Sequence, residues 1–344
     1  MEVYAMKKII VTLMLTLFCT VLTLGMVYSE AKAEWDPNKP INLIVPWGAG
    51  GSTDRSARTT AGVIEDPLGQ KIVVVNQPGA SGSVGTKSCL DAPRDGYTWT
   101  AGAAKDLGNY KIQGLLDTTI QDWHLFLNVA MPQVVSVNVD SPYQTFDELL
   151  AAFKEKPGQI AVATAGINSS GHTAIEQIKK YTGIDYKHVT YDGGNPAVIA
   201  TVAGEAEVVP QLSVEEVDML RAGKLRALAV LTSEPLEIDG YGTVPPITNW
   251  IPEFETAAIY FGIFIPKGVP DEVITTLGKI WDEVVETSPV LKKFAAENAV
   301  VFDPAWGEEA QKKAFPMIQL DAWLKYDAGQ AKISPEEIGI PRPE

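Results

Sequence analysis

Strand-like apolar runs alternate with amphipathic stretches twice along this chain, and no other feature limits its fold as tightly. "INLIVP" is followed by a helical pattern from about Ser52, then "KIVVVN", a second helix from about Ser83, and "YTWTAGA". That order is the mark of βαβ units, whose strands pair in parallel beneath covering helices. After the extended "QVVSVNV" the pattern restarts with "TFDELLAAFKEK", where Thr145 and Glu148 have the spacing of a capping box. "QIAVATA", a helix from about Ser169, "KHVTY", "AEVVPQL", "VEEVDMLRAG" and "LRALAVLT" complete a second α/β unit. Beyond Pro245, "AAIYFGIFIP" predicts a long strand, and everything after it predicts helices. Helices this apolar need a sheet to cover, and the first unit's sheet is the candidate. The chain is therefore expected to cross between lobes twice, near 133–139 and 256–264. Residues 34–136 and 260–344 then form lobe one and 137–259 lobe two, each a mixed, mostly parallel sheet flanked by helices, with a ligand cleft between them.

The first residues read as an export signal. Lys7 and Lys8 precede an almost uncharged run from Ile9 to Tyr28, and Ala31, Lys32 and Ala33 stand before Glu34 and Trp35. This is the order of a secretory signal peptide, residues 1–33, cleaved near Ala33 to leave the chain in the periplasm. The competing reading is an uncleaved anchor, since about 20 apolar residues can span a bilayer. The remainder is long enough for about two domains.

A net charge of −15 repels polyanions, so no nucleic acid partner is expected. It does not oppose a small anion met by a local cluster of donors. After cleavage Cys89 is the only cysteine, and "GTKSCLDA" places it in a helix as a buried spectator. His124, His172 and His188 show no metal-ligand spacing, so no metal is expected. We expect a monomer.

Three glycine-rich loops follow strands: "GAGGSTD" (48–54), "PGASGSVGTKS" (78–88) and "AGINSSGH" (165–172). Where a strand gives way to a helix, the first N–H groups lack intrahelical partners and the positive end of the dipole lies behind them. Such turns seat anions. Gly48 and Gly50 match the start of a dinucleotide fingerprint, but Thr53 replaces its third glycine and the second strand ends in Asn76 instead of an acid. In "GSVGTKS", Lys87 and Ser88 follow Thr86, out of register for a P-loop. No cofactor is expected. A serine hydrolase using Ser52 or Ser170 with His172 and Asp54 is a further reading, without any G-x-S-x-G elbow to support it.

Four ordered blocks resemble the periplasmic receptors of the tripartite tricarboxylate transporters, the Bug proteins. The first is Pro46, Trp47, Gly50, Gly51 and Asp54; the second runs from Asn76 to Gly85, followed by "DGYT". The third is Gly166, Asn168, Ser169 and His172; the fourth is Tyr191, Gly193, Pro196 and Ala197, with Gly204 and Glu205 later. "GKLRALAV" also follows the family pattern. Departures are Trp47 for Phe or Tyr, Asn168 for a glycine, and the segment "PQLSVEEVDM". Asn168 is expected to keep the loop because asparagine tolerates a left-handed backbone.

The resemblance implies a two-lobed periplasmic binding protein fold, type II-like. It also implies a receptor, not an enzyme, that closes on a small di- or tricarboxylate or related acid and presents it to cognate membrane transporter subunits. An exported hydrolase or lyase, or a receptor feeding a membrane sensor, are the alternatives.

The expected ligand-binding residues divide between the lobes. Gly50, Gly51, Ser52 and Thr53 offer amides and hydroxyls from lobe one; Ser169 and Ser170, with His172 near, offer them from lobe two. Donors from both lobes make closure depend on the anion. Trp47 is read as a cleft wall. Asp54, in the first helical turn, is read first as a structural group favouring the dipole and second as a ligand contact. His172 either donates to the carboxylate or packs. Tyr191 and Asp192 end a strand at the carboxyl edge where ligands gather. Asp192 suits a ligand amino or hydroxyl group but is read first as a solvated loop acid. Asn195 is read as a helix cap beside Pro196 at the first helical position, with facing the cleft as its second reading.

Overall fold

The computed structural model describes residues 34–343. The expected signal segment and its cleavage point near Ala33 lie outside the described residues. Among those described, no helix is long and apolar enough to cross a membrane.

The first lobe starts with strand β1 (Ile41–Val45), helix α1 (Ser52–Leu68), β2 (Ile72–Asn76), α2 (Ser83–Asp91), β3 (Thr98–Ala103), α3 (Ala104–Asn109) and β4 (Trp123–Ala130). β1 pairs in parallel with β2 and β3. A strand between two parallel neighbours is covered on both faces, which is why Ile41, Leu43, Ile44 and Val45 are all buried. α1 stops at Gly69, whose φ of +66° suits a residue without a Cβ.

The second lobe contains β5 (Gln133–Asn138), α4 (Phe146–Glu155), β6 (Ala161–Thr164), α5 (Ser170–Thr182), β7 (Lys187–Thr190), α6 (Gly194–Val202), β8 (Val208–Leu212), α7 (Ser213–Arg221) and β9 (Leu225–Val230). A short ribbon, β10 (Leu236–Ile238) with β11 (Gly242–Val244), follows. The chain then rejoins the first sheet through β12 (Tyr260–Pro266), α8 (Asp271–Ile280), α9 (Pro289–Glu297), β13 (Val301–Trp306) and α10 (Gly307–Asp327).

The two sheets have strand orders β13-β4-β12-β3-β1-β2 and β7-β6-β8-β5-β9. In the first, β12 and β13 run against the other four; in the second, β5 runs against the rest. Both are mixed sheets, flanked by helices, in which most strands point one way, although the reversed strands make antiparallel pairings at least as common as parallel ones. The expected boundary at 136/137 cuts through β5, which pairs with β8 and β9 over its whole length. The chain changes sheets at Met131 and Pro132, a few residues earlier than the pattern suggested.

The segment after β12 is not helical throughout. Val301–Trp306 forms an edge strand on β4, with the register breaking between Phe302 and Ala305. Asp303 and Pro304 sit in that irregularity, and proline is tolerated in a sheet only at such edges and bulges. α10 covers the first sheet as expected. Ala310, Ala314, Ile318 and Ala322 recur every fourth residue and join Trp123, Leu125 and Leu127 in one core. Cys89 belongs to the same core, and burial pushes its thiol up to about 12.

Candidate functional site

β1 and β6 both end at the same side of the molecule, and the turns that follow them face each other across a narrow cleft. Lobe one contributes Trp47, Gly51, Ser52 and Thr53; lobe two contributes Asn168, Ser169, Ser170, Gly193 and Gly194. Ser52 opens α1 after Gly51, and Ser170 opens α5 after Ser169. The Ser169 hydroxyl accepts the His172 N–H at 3.2 Å, so that donor is already used. The Thr53 and Ser170 amides are among those a helix leaves without intrahelical carbonyls, and both residues line the cleft.

Several expected site residues have partners within the protein. Asp54 is 4% exposed and holds the glycine loop together: it accepts the Gly50 N–H at 2.9 Å and the Asn76 amide at 2.9 Å. Burial pushes its carboxyl up, but Arg58, Gly50 and Asn76 outweigh that and leave it below its ordinary value. Gly50, with φ +79°, faces Asn195 at the mouth. Asn195 is not the helix cap it was read as. α6 starts at Gly194, two residues before Pro196, and the Asn195 amide, on the cleft side as its second reading had it, donates to the Gly50 carbonyl at 2.6 Å.

His172 does not line the cleft. Its ring stacks on His188 with centroids 4.7 Å apart. Burial, then the neighbouring His188 and Lys325, lower its pKa to about 3. Tyr191 packs against the second lobe's core and bonds Glu205. Asp192 is exposed, and only its carbonyl approaches Gly48 of the first lobe. Gly193 and Gly194, next along, line the cleft. Asn168 is not left-handed: among the described residues only Ala80, Ser81 and Ala299 share that conformation with glycines. The Asn168 carbonyl instead accepts Lys105 Nζ at 3.0 Å, and its amide oxygen accepts the Gln113 amide, both from lobe one.

The sequence reading missed Glu215. This α7 residue reaches into the cleft, where its Oε1 accepts the Ser52 N–H at 3.1 Å. With the Gln211 amide turned so that both its ends are satisfied, Gln211 donates to Oε2 at 3.2 Å and accepts the Ala165 N–H at 3.0 Å. Burial raises the Glu215 pKa against the pull of the Ser52 donors. Acids in a first helical turn ordinarily complement the dipole from the surface, so nothing in "SVEEVD" alone distinguishes Glu215. Asp106 was missed too, although it lies just past the end of β3, where ligand sites gather.

A buried charge network backs the cleft. Asp321 of α10 accepts Lys105 Nζ at 3.2 Å, Thr173 Oγ1 at 2.8 Å, and pairs with Lys325. Burial works against its charge, yet Lys105 and Lys325 hold its carboxyl far below the ordinary range. Lys105 also pairs with Asp106 at 3.1 Å. The network ties α3, α5 and α10 and so joins the two lobes behind the site.

The sequence profile described as the tripartite tricarboxylate transporter family receptor matches residues 56–323. The chain belongs to that family. Protein BugT of Bordetella pertussis is 30% identical over 307 residues, spanning 86% of this chain and 90% of BugT. The periplasmic binding protein BugD superposes with a TM-score of 0.74 at 25% identity, over 86% of this chain and 99% of BugD. A TctC solute-binding protein from Polaromonas gives 0.63 at 28% identity, over 85% and 99%. The family is one of solute-binding receptors. Glu215 falls in "PQLSVEEVDM", a segment the sequence reading set apart from the family pattern.

Proposed function

We propose that this chain is a periplasmic receptor that captures a small organic carboxylate between its lobes and presents it to the membrane subunits of a tripartite transporter. The observation that carries the reading is the pairing of first-turn residues, Thr53 from lobe one and Ser170 from lobe two, on one cleft. A helix N-terminus favours negative charge, and two of them on separate lobes let a carboxylate hold the lobes together. In this reading Trp47 is the wall against the ligand's carbon chain, Ser52 and Ser169 support the seat, the signal segment is cleaved near Ala33, and the receptor acts as a monomer.

A hydrolase would need a base beside Ser52 or Ser170. His172, the residue read for that role, is stacked on His188 outside the cleft and held neutral, which favours binding over catalysis. A thermal-shift screen with mono-, di- and tricarboxylates tests the proposal. A ligand present at 100 times its dissociation constant stabilises the folded form by about 2.7 kcal/mol. The protein should respond to at least one carboxylate and return it chemically unchanged; product formation, or no response to any, contradicts the receptor reading.

A further inference from the structure

The cleft wall carries two ionisable side chains, Asp106 and Glu215, and both are acids. Asp106 already has a counter-ion in Lys105, 3.1 Å away. Glu215 is held by uncharged donors instead: the Ser52 N–H and hydroxyl, the Leu212 N–H and the Gln211 amide. The opposite charge acting on it is Arg55, whose guanidinium is committed to the Val214 carbonyl at 2.6 Å and the Asn298 amide oxygen at 2.5 Å. The Glu215 carboxylate is also fixed in place. A Cβ on Gly194 would fall 2.0 Å from its Oε2, so only glycine at the start of α6 leaves room for it.

A carboxylate as buried as Glu215, 9% exposed, repels a second anion and attracts a cation more strongly than it would in water. With its acceptor sites already met by uncharged donors, what the carboxylate lacks beside it in the cleft is an opposite charge, which an ammonium supplies. We propose that Glu215 sets the ligand's second functional group, so that the receptor takes a small molecule carrying one carboxylate and one protonated amine and rejects molecules that end in a second carboxylate. The inference rests on the receptor reading and narrows its ligand class. Thr53 and Ser170 seat the ligand's carboxylate, and Glu215 receives its ammonium.

Isothermal titration of the mature protein near neutral pH tests this with matched probes: β-alanine and γ-aminobutyrate against malonate and succinate, with α-amino acids of the same chain lengths. At least one amino acid should bind about tenfold or more tighter than the dicarboxylate of equal length, as expected for a charge-assisted contact. Glu215→Gln should erase that preference, and Glu215→Asp should keep part of it. Gly194→Ala, which drives the carboxylate from its place without removing it, should lose the preference as Glu215→Gln does, and this provides a second route if that variant fails to fold. Dicarboxylates binding the unaltered protein as tightly as amino acids, or a preference unchanged in Glu215→Gln, would overturn the inference and leave the receptor reading standing. No binding from either series would also overturn the inference, whereas the receptor reading falls only if the wider carboxylate screen is silent too.

Discussion

Glu215 Oε1 accepts the Ser52 N–H at 3.1 Å, so a carboxylate of the second lobe sits at the N-terminus of the first lobe's glycine-loop helix. In the proposed reading the turn after β1 favours an anion because a helix N-terminus leaves amides unpaired with the dipole behind them. Here the chain supplies one carboxylate itself, and the lobes meet through it.

Removing that donor without breaking the helix is feasible because Ser52 is the first residue of α1, where proline is well tolerated. Gly51 before it has φ −74° and ψ 177°, the extended form a residue preceding proline adopts. Ser52→Pro should fold but lose about 1–3 kcal/mol in urea denaturation, because a buried carboxylate loses its donors. Ser52→Ala, which keeps the N–H, should lose less than half as much.

The sequence displayed what depends on local chemistry. α1 and α5 begin at Ser52 and Ser170, where glycine and serine runs end strands, and Thr145 caps α4, accepting the Glu148 N–H at 3.3 Å. It hid what depends on contacts distant along the chain. β13 carries Asp303 and Pro304 and is a strand only because β4 has an open edge beside it. Glu215 looks like an ordinary first-turn acid until the lobes bring it to Ser52, and His172 looks like a ligand donor until His188 stacks on it.

The network behind the cleft predicts a large stability effect. Asp321→Asn leaves Lys105 and Lys325 buried with less opposing charge, and breaking such a pair costs about 3–5 kcal/mol. Asp321 is depressed in the folded state, so its contribution is present above the ordinary carboxylate range and lost as pH falls below it. Urea titrations of both proteins at neutral and acidic pH should converge toward the acid end.

His172 predicts a second pH dependence. Its folded pKa is about 3 against an ordinary 6.5, so between those values the unfolded chain binds a proton the folded one does not. Stability should therefore fall as pH drops below about 6.5, by at most about 1.4 kcal/mol per pH unit. His172→Asn should flatten the profile across that window, measured as the urea midpoint against pH.

At the mouth, the Asn195 bond to the Gly50 carbonyl at 2.6 Å is exposed. Asn195→Ala should cost under about 1 kcal/mol of stability while speeding ligand release, as read by stopped-flow fluorescence. A release rate unchanged from the unaltered protein would remove Asn195 from the closure contact.

The most direct measurement concerns the second lobe's amide. Ser170 is the first residue of α5, and Ser169 before it has φ −68° and ψ 158°, so Ser170→Pro deletes one N–H with little disturbance. Titrated with the best carboxylate from the screen, Ser170→Pro should bind about tenfold or more weakly than Ser170→Ala, with the two urea midpoints alike. Equal affinities in the two variants would contradict the claim that backbone amides from opposite lobes hold the ligand's carboxylate.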